Sequence, residues 1–175
     1  PSKMLPLGTK APDFELINPI TSKQLKLCDS IGKQGTVIMF ICNHCPFVKY
    51  INNELVAIAN KYLNKGIGFI AINRNDTINY PEDAPLEMIK TAKANNYPFP
   101  YLFDESQEVA KAYDAACTPD FYLFNDQLRL VYRGQLDSSR PGNNIRITGT
   151  DLRQGIDHLM NNTLQIFSFL LLLYH

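Results

Sequence analysis

Two cysteines three positions apart, Cys42 and Cys45, stand where an apolar run gives way to a helical pattern. A Cys-x-x-Cys placed there suits thiol–disulfide exchange. One sulfur attacks a disulfide as thiolate, and the second displaces the product and closes a disulfide with the first. On this reading Cys42 lies exposed at the helix start, where free backbone N–H groups and the helix dipole favour the thiolate. Cys45 follows about one turn further in, near enough to close a disulfide without large backbone movement. His44 lies between them, and an imidazole beside Cys42 would favour the thiolate and raise the reduction potential. The bland alternative for His44 is a solvent-facing side chain with little effect. A Cys-x-x-Cys can also be half of a zinc site, but that needs a second Cys/His pair at short spacing. Only Cys28 and Cys117 remain, widely separated. Two inert thiols are a third reading, and a helix start after a core strand is an odd place for them.

The elements that must hold this pair can be read from periodicity. Val37 to Ile41 is an apolar, β-branched run of the kind that forms a buried strand. Phe47, Val48, Ile51, Leu55, Val56, Ile58, Ala59 and Leu63 then recur at helical spacing. Gly66 to Asn73 is a second buried run, so strand, helix and strand form a βαβ unit with parallel strands. The polar loop 74–84 follows at the carboxyl end of that strand, the side of an open α/β sheet that faces a site. Asp83 is expected to cap a helix with Pro85 in its first turn, running to about Asn96. Asp104 with Gln107 predicts a second capped helix to about Ala115, and Asp151 with Gln154 a third. Phe14 to Ile17 and Gln24 to Leu27 are short strands ahead of the site, with Cys28 expected as a small buried hydrophobe. Phe121 to Phe124 and Leu128 to Arg133, joined by three residues, read as a hairpin. The long polar loop from Gln135 to Thr150 has the length of a functional loop.

Composition narrows the class. The chain has 175 residues, expected as one domain over 1–162 and an apolar tail over 163–175. Lysine plus arginine and aspartate plus glutamate both number 17, so the formal charge is zero and no basic stripe points to nucleic acid. Four cysteines are too few for a disulfide-stapled scaffold. The start Pro1-Ser2-Lys3-Met4 shows no apolar signal region, so a cytoplasmic setting is expected, although a cleaved signal would leave no trace. The apolar stretch from Leu164 to Tyr174 is too short to span a bilayer. It either packs on the core or presents a surface for self-association. His158 and His175 read as ordinary surface or core residues.

A second stretch, Ala116-Cys117-Thr118-Pro119-Asp120, puts a proline immediately before a core strand, where it cannot donate to a ladder. Here the sequence resembles the thioredoxin-like superfamily, whose cis-proline loop faces the Cys-x-x-Cys. Gly8-Thr9-Lys10-Ala11-Pro12-Asp13-Phe14 looks like the opening of its redoxin branch, the AhpC/TSA-like group. Cys42-Asn43-His44-Cys45-Pro46-Phe47-Val48, Cys117 to Phe121 and Tyr132 to Asp137 are similar to a less characterised group within that branch. The resemblance runs from about Leu7 to Leu159. It implies an α/β thioredoxin-like fold, a central mixed sheet flanked by helices with an N-terminal β-hairpin extension. It also implies thiol–disulfide oxidoreduction on protein or small-molecule disulfides, together with a separate reductant or oxidant partner. Cys42 and Cys45 would be catalytic and His44 would tune the thiolate. The Thr118 backbone would pair with a bound substrate beside a cis Pro119, and Cys117 would be a third thiol, expected buried. The dithiol carries the electrons, so no organic cofactor is called for. The chain departs from thioredoxin in having no Trp, with Ile41 and Asn43-His44 in place of the usual neighbours of the pair.

Two competing readings remain at this level. Peroxiredoxins carry Pro-x-x-x-Thr-x-x-Cys, and Cys45-Pro46 aligns with their reactive Cys-Pro. Ile38 and Cys42 stand at the Pro and Thr positions, so the peroxide-positioning hydroxyl is missing, and Arg133 or Arg140 would have to supply the arginine. A metal-binding module would gather Cys42, His44, Cys45 and Cys117 around Cu(I) or Zn(II).

Overall fold

In the computed structural model, which describes residues 5–161, the strand leading to the cysteines is β3 (Gly35–Phe40). All six of its residues are buried. Successive side chains of a strand point to opposite faces, so a strand covered on both sides must be apolar throughout. Val37 and Met39 enter one core, and Ile38 and Phe40 the other. β3 pairs parallel with β4 (Ile67–Asn73) and antiparallel with β6 (Asp120–Asn125). β4 continues parallel to β5 (Tyr101–Phe103). β1 (Glu15–Asn18) runs antiparallel to β5 and to β2 (Lys23–Lys26), and β7 (Leu130–Gly134) runs antiparallel to β6. The result is one mixed sheet in the order β2-β1-β5-β4-β3-β6-β7, the thioredoxin-like α/β arrangement, with the N-terminal hairpin built in beside β5.

α1 (Pro46–Leu63) buries Val48, Ile51, Leu55, Ile58, Ala59 and Tyr62, a stripe at three- and four-residue spacing. Each large apolar side chain so buried contributes about 1.5–3 kcal/mol. α2 (Pro85–Ala94) and α4 (Thr150–Met160) share that core through Met88, Ala92, Leu152 and Ile156. α3 (Glu108–Ala112) and the residues after it cover the other face, where Tyr113 packs with Phe14, Phe40 and Tyr122.

Three expected helix caps are replaced by other contacts. α3 begins four residues after Asp104, because Gln107 takes a left-handed conformation (φ 63°) and the Asp104 side chain accepts the Ala110 N–H at 2.9 Å. α4 is capped by Gly149 at φ 64°, and Asp151 accepts a hydrogen bond from the Gln135 amide at 2.8 Å instead. Asp83 closes a short 3-10 turn (Pro81–Asp83), and Ala84 precedes α2. Cys28 is exposed rather than buried: it sits in a 3-10 turn (Leu27–Asp29) whose inward position goes to Leu27.

Two loops lock onto the sheet. The backbone from Ser30 to Gly32 lies directly on Gly68 at the start of β4. The N-terminal segment runs beside the first residues of β7, where Gly8 N–H donates to the Leu130 carbonyl at 2.7 Å. Leu130 N–H donates back to the Thr9 carbonyl (2.9 Å), and Ala11 N–H to the Leu128 carbonyl (2.8 Å). Among the described residues no helix is long and apolar enough to cross a membrane. The apolar tail and His175 lie outside the described residues.

The long loop after β7 is organised by Asp137. Its buried carboxylate accepts the Ser139 hydroxyl, the Ser139 N–H at 2.8 Å, the Thr148 N–H at 2.8 Å and the Gly149 N–H at 2.6 Å. Burial alone would raise this carboxyl, but the donors outweigh it and hold it below the ordinary value. Asp137→Ala is expected to lose about 2–3 kcal/mol in urea unfolding at pH 7, leaving four donors unpaired. With the folded-state pKa depressed, the carboxylate's contribution is complete above its unfolded value of about 3.9. It disappears as the pH falls through the folded value. The gap between parent and variant should therefore narrow in acid.

Candidate active site

The parallel register carries the chain one residue past β3, with Ile41 N–H donating to the Ile72 carbonyl at 3.0 Å. Cys42 follows, at the carboxyl end of the parallel strands where the side chains of the next loops converge. Its side chain is 1% exposed. Cys45 is half-buried and is the N-cap residue of α1, with Pro46 next, a residue that fits the first helical position. The expected order of exposure is therefore reversed. Cys42 lies three residues before the helix cap, against Thr118, while Cys45 sits at the positive end of the helix.

Both sulfurs meet the same loop. The Cys42 Sγ lies 3.3 Å from the Thr118 hydroxyl, and the Cys45 thiol donates to the Thr118 carbonyl at 3.5 Å. The Thr118–Pro119 peptide is cis, as the thioredoxin-like resemblance implied. Burial pushes the Cys42 thiol up to about 11, the Asp83 carboxylate acting in the same direction. The Thr118 hydroxyl and the Cys45 N–H oppose this.

His44 is turned toward Asp83. Its Nδ1 makes a very short hydrogen bond to Asp83 Oδ2, and its ring stacks on Tyr80 at 4.4 Å and 7°. The carboxylate is fully buried and richly served. Oδ1 accepts the Asn43 N–H at 2.6 Å and the Asn73 amide at 3.3 Å, and Oδ2 accepts the Asn75 amide at 2.8 Å. Burial would raise Asp83, but Asn75, the Asn43 N–H and His44 prevail and hold it below the usual carboxylate range. Being ionised, it has no proton to give, so the His44 Nδ1–H is the donor. Asn43 is fixed in turn by the Tyr101 hydroxyl (2.8 Å) and by its own amide on the Glu82 carbonyl (2.9 Å).

Asp83 is the site residue that sequence reasoning missed. Its position before Pro85 resembles a helix cap. The signal that could have found it is its place in the Asn-rich loop after β4, at the carboxyl end of the sheet.

The remaining candidates fall elsewhere. Cys117 is exposed rather than buried, because it lies on the outer side of the loop before β6. Partial desolvation and Asp120 push its thiol up, against Arg133 and Arg74. The four-residue metal set is not assembled among the described residues. The group whose ligand atoms lie within 4.8 Å of one another is Cys42, His44 and Asp83. Both Asp83 oxygens already accept hydrogen bonds from side-chain and backbone donors, and the Cys42 sulfur bonds Thr118 instead. Both candidate arginines are engaged, although the buried Arg133 Nη1 has no hydrogen-bond partner. Arg133 bonds the Asp114 carbonyl (2.6 Å) and Asp120 (3.2 Å). Arg140 bonds the Asp137 and Ser139 carbonyls (2.9 and 2.6 Å) and Gln135 while lying over Phe47.

Comparison with known proteins adds context to this geometry. The AhpC/TSA family model matches residues 7–133. The crystal structure of an uncharacterized conserved protein from Geobacillus kaustophilus is 57% identical, with a TM-score of 0.89 over 92% of this chain and 85% of that one. A hypothetical protein from Sinorhizobium meliloti 1021 is 42% identical, with a TM-score of 0.88 over 92% and 87%. The thioredoxin domain of a thiol-disulfide oxidoreductase from Bacteroides vulgatus shares the fold at 15% identity, with a TM-score of 0.64 over 75% and 89%. No curated protein matches the chain.

Proposed function

The chain belongs to the AhpC/TSA family, and on that footing we propose that it reduces disulfides through the Cys42–Cys45 dithiol. Redoxin-type thiol oxidoreduction is the class; the dithiol and the disulfide substrate are our reading. It rests on one observation, the meeting of both sulfurs with the Thr118–Pro119 loop. A single thiol with a positioned hydroxyl and a free arginine would suit a peroxide. Two thiols sharing one loop suit a sulfur passed from one to the other.

The division of labour follows exposure. The Cys45 thiolate, at the open helix start, attacks one sulfur of a substrate disulfide, and the other leaves as thiolate. Cys42 then attacks Cys45 Sγ. The Cys42–Cys45 bond forms, the bond from Cys45 to the substrate breaks, and the second substrate sulfur leaves with the electron pair. The dithiol is oxidised by two electrons and the substrate disulfide becomes two thiols. The Thr118 backbone orients the substrate beside the pair. Ile78 and Leu86, both well exposed and flanking Asp83 in sequence, give a protein substrate apolar surface to rest on. A separate thiol reductant returns the dithiol.

The reading is tested by mixing the reduced protein with insulin and, separately, with hydrogen peroxide. Insulin should be reduced stoichiometrically, and peroxide should consume the thiols at the slow rate of an ordinary cysteine. Stopped-flow oxidation by peroxide orders of magnitude faster, lost in Cys45→Ser and with insulin untouched, would replace this reading with a peroxidase.

A further inference from the structure

The Cys42 side chain that must act second is buried, and a buried thiol must lose its proton before it can attack. The cluster around it contains a group with no part in substrate binding. The Cys42 sulfur, a His44 ring nitrogen and an Asp83 carboxylate oxygen all lie within 4.8 Å of one another. We propose that Asp83 is the positioning residue of a Cys42–His44–Asp83 relay, holding His44 so that the pair takes up the Cys42 proton as the mixed disulfide on Cys45 is resolved. This rests on the disulfide-reductase reading and adds the proton's destination to it.

Three features support the assignment. Asp83 is fixed from three elements: Asn43 beyond β3, Asn73 at the end of β4 and Asn75 in the following loop. Such fixing is more than a surface ion pair would need, and it keeps the carboxylate charged. With the Nδ1–H donated to that carboxylate, Nε2 is the ring nitrogen that keeps a lone pair. Stacking on Tyr80 fixes the ring plane, while the side chain stays 30% exposed, so the proton can go on to solvent or to the departing thiolate. The step balances. Cys42 Sγ–H gives its proton to the His44–Asp83 pair, Cys42 Sγ bonds Cys45 Sγ, and the substrate sulfur leaves with its electrons and is protonated afterwards. The other titratable groups around this cluster are Cys45 at the head of α1, Tyr97 before β5, Tyr101 at its start, and Tyr80 on the loop. Burial raises both Tyr97 and Tyr101, so neither offers a base near neutrality.

The test uses the full chain with the two exposed cysteines removed by Cys28→Ser and Cys117→Ser, reacted with Ellman's disulfide in a stopped-flow instrument. Attack by Cys45 releases a first equivalent of the coloured thiolate, and resolution by Cys42 releases a second. In Asp83→Asn and in His44→Asn, the second phase should slow at least about tenfold at pH 7 and recover at alkaline pH. The first phase should stay within about threefold of the parent. His44→Asn keeps the test decisive if Asp83→Asn fails to fold, because His44 is partly exposed. An unchanged second phase and pH profile in either folded variant overturns the relay, and so does equal slowing of both phases. Release of only one equivalent by the parent overturns the dithiol reading itself, whatever the variants do.

Discussion

Replacing Cys45 by serine is expected to abolish insulin reduction, a loss of at least about a thousandfold, while Cys42→Ser should leave a stable mixed disulfide on Cys45. The argument is positional. Cys45 is the N-cap residue of an 18-residue helix and is half open to solvent, so it can reach a substrate sulfur. Cys42 is closed over by neighbouring elements, and burial raises its pKa to about 11. A serine at position 45 offers no thiolate at the open position. A serine at position 42 leaves the attack intact and removes only the group that displaces the product. Mass spectrometry of each variant after reaction with a disulfide substrate decides the matter. A covalent adduct on Cys42 in Cys45→Ser, with none on Cys45 in Cys42→Ser, would restore the order of attack expected from the sequence.

A large effect on stability is expected away from the sulfurs. Gly68→Ala should cost about 3 kcal/mol, because the added Cβ would lie 2.4 Å from the Ser30 carbonyl oxygen and 2.7 Å from the Gly32 nitrogen. Both are backbone atoms, so neither can rotate away as the end of a flexible side chain could. Relief would require lifting the loop from β4 or shifting the strand that leads to Asn73. Gly142→Ala is the control. A Cβ there meets nothing within 4 Å, and only the positive φ of 85° is penalised, by about 1 kcal/mol. Urea midpoints measured side by side should separate the two. A Gly68→Ala midpoint no lower than that of Gly142→Ala would mean that the loop does not lie on β4 as described.

How much of this could be read from the residues depends on the range of the interaction. β3 and α1 are legible because their signals are local: a six-residue buried run and a stripe of apolar residues at helical spacing. The loop opposite the pair is legible because an otherwise unexplained Pro119 before a strand matches the cis-proline loop of the family the chain resembles. Cys42's burial is not, since its sulfur lies against Thr118, 76 residues away. Asp83 is misread for the same reason. Its neighbours in sequence make it look like a cap, while its hydrogen bonds run to Asn43 and His44 some 40 residues earlier. Cys28 and Cys117 each miss by a single step of orientation, an inward Leu27 in one case and an outward loop in the other.

The hydrogen bonds between Gly8–Ala11 and Leu128–Leu130 also bear on how the folded chain behaves at high concentration. An open terminal strand is a template on which a second molecule can add its own strand, the first step toward amyloid-like stacking. Here the chain's own opening segment occupies the template where β7 begins. The opposite border is formed by β2, only four residues long and carrying the exposed Lys23 and Lys26. Charge and shortness discourage templating there.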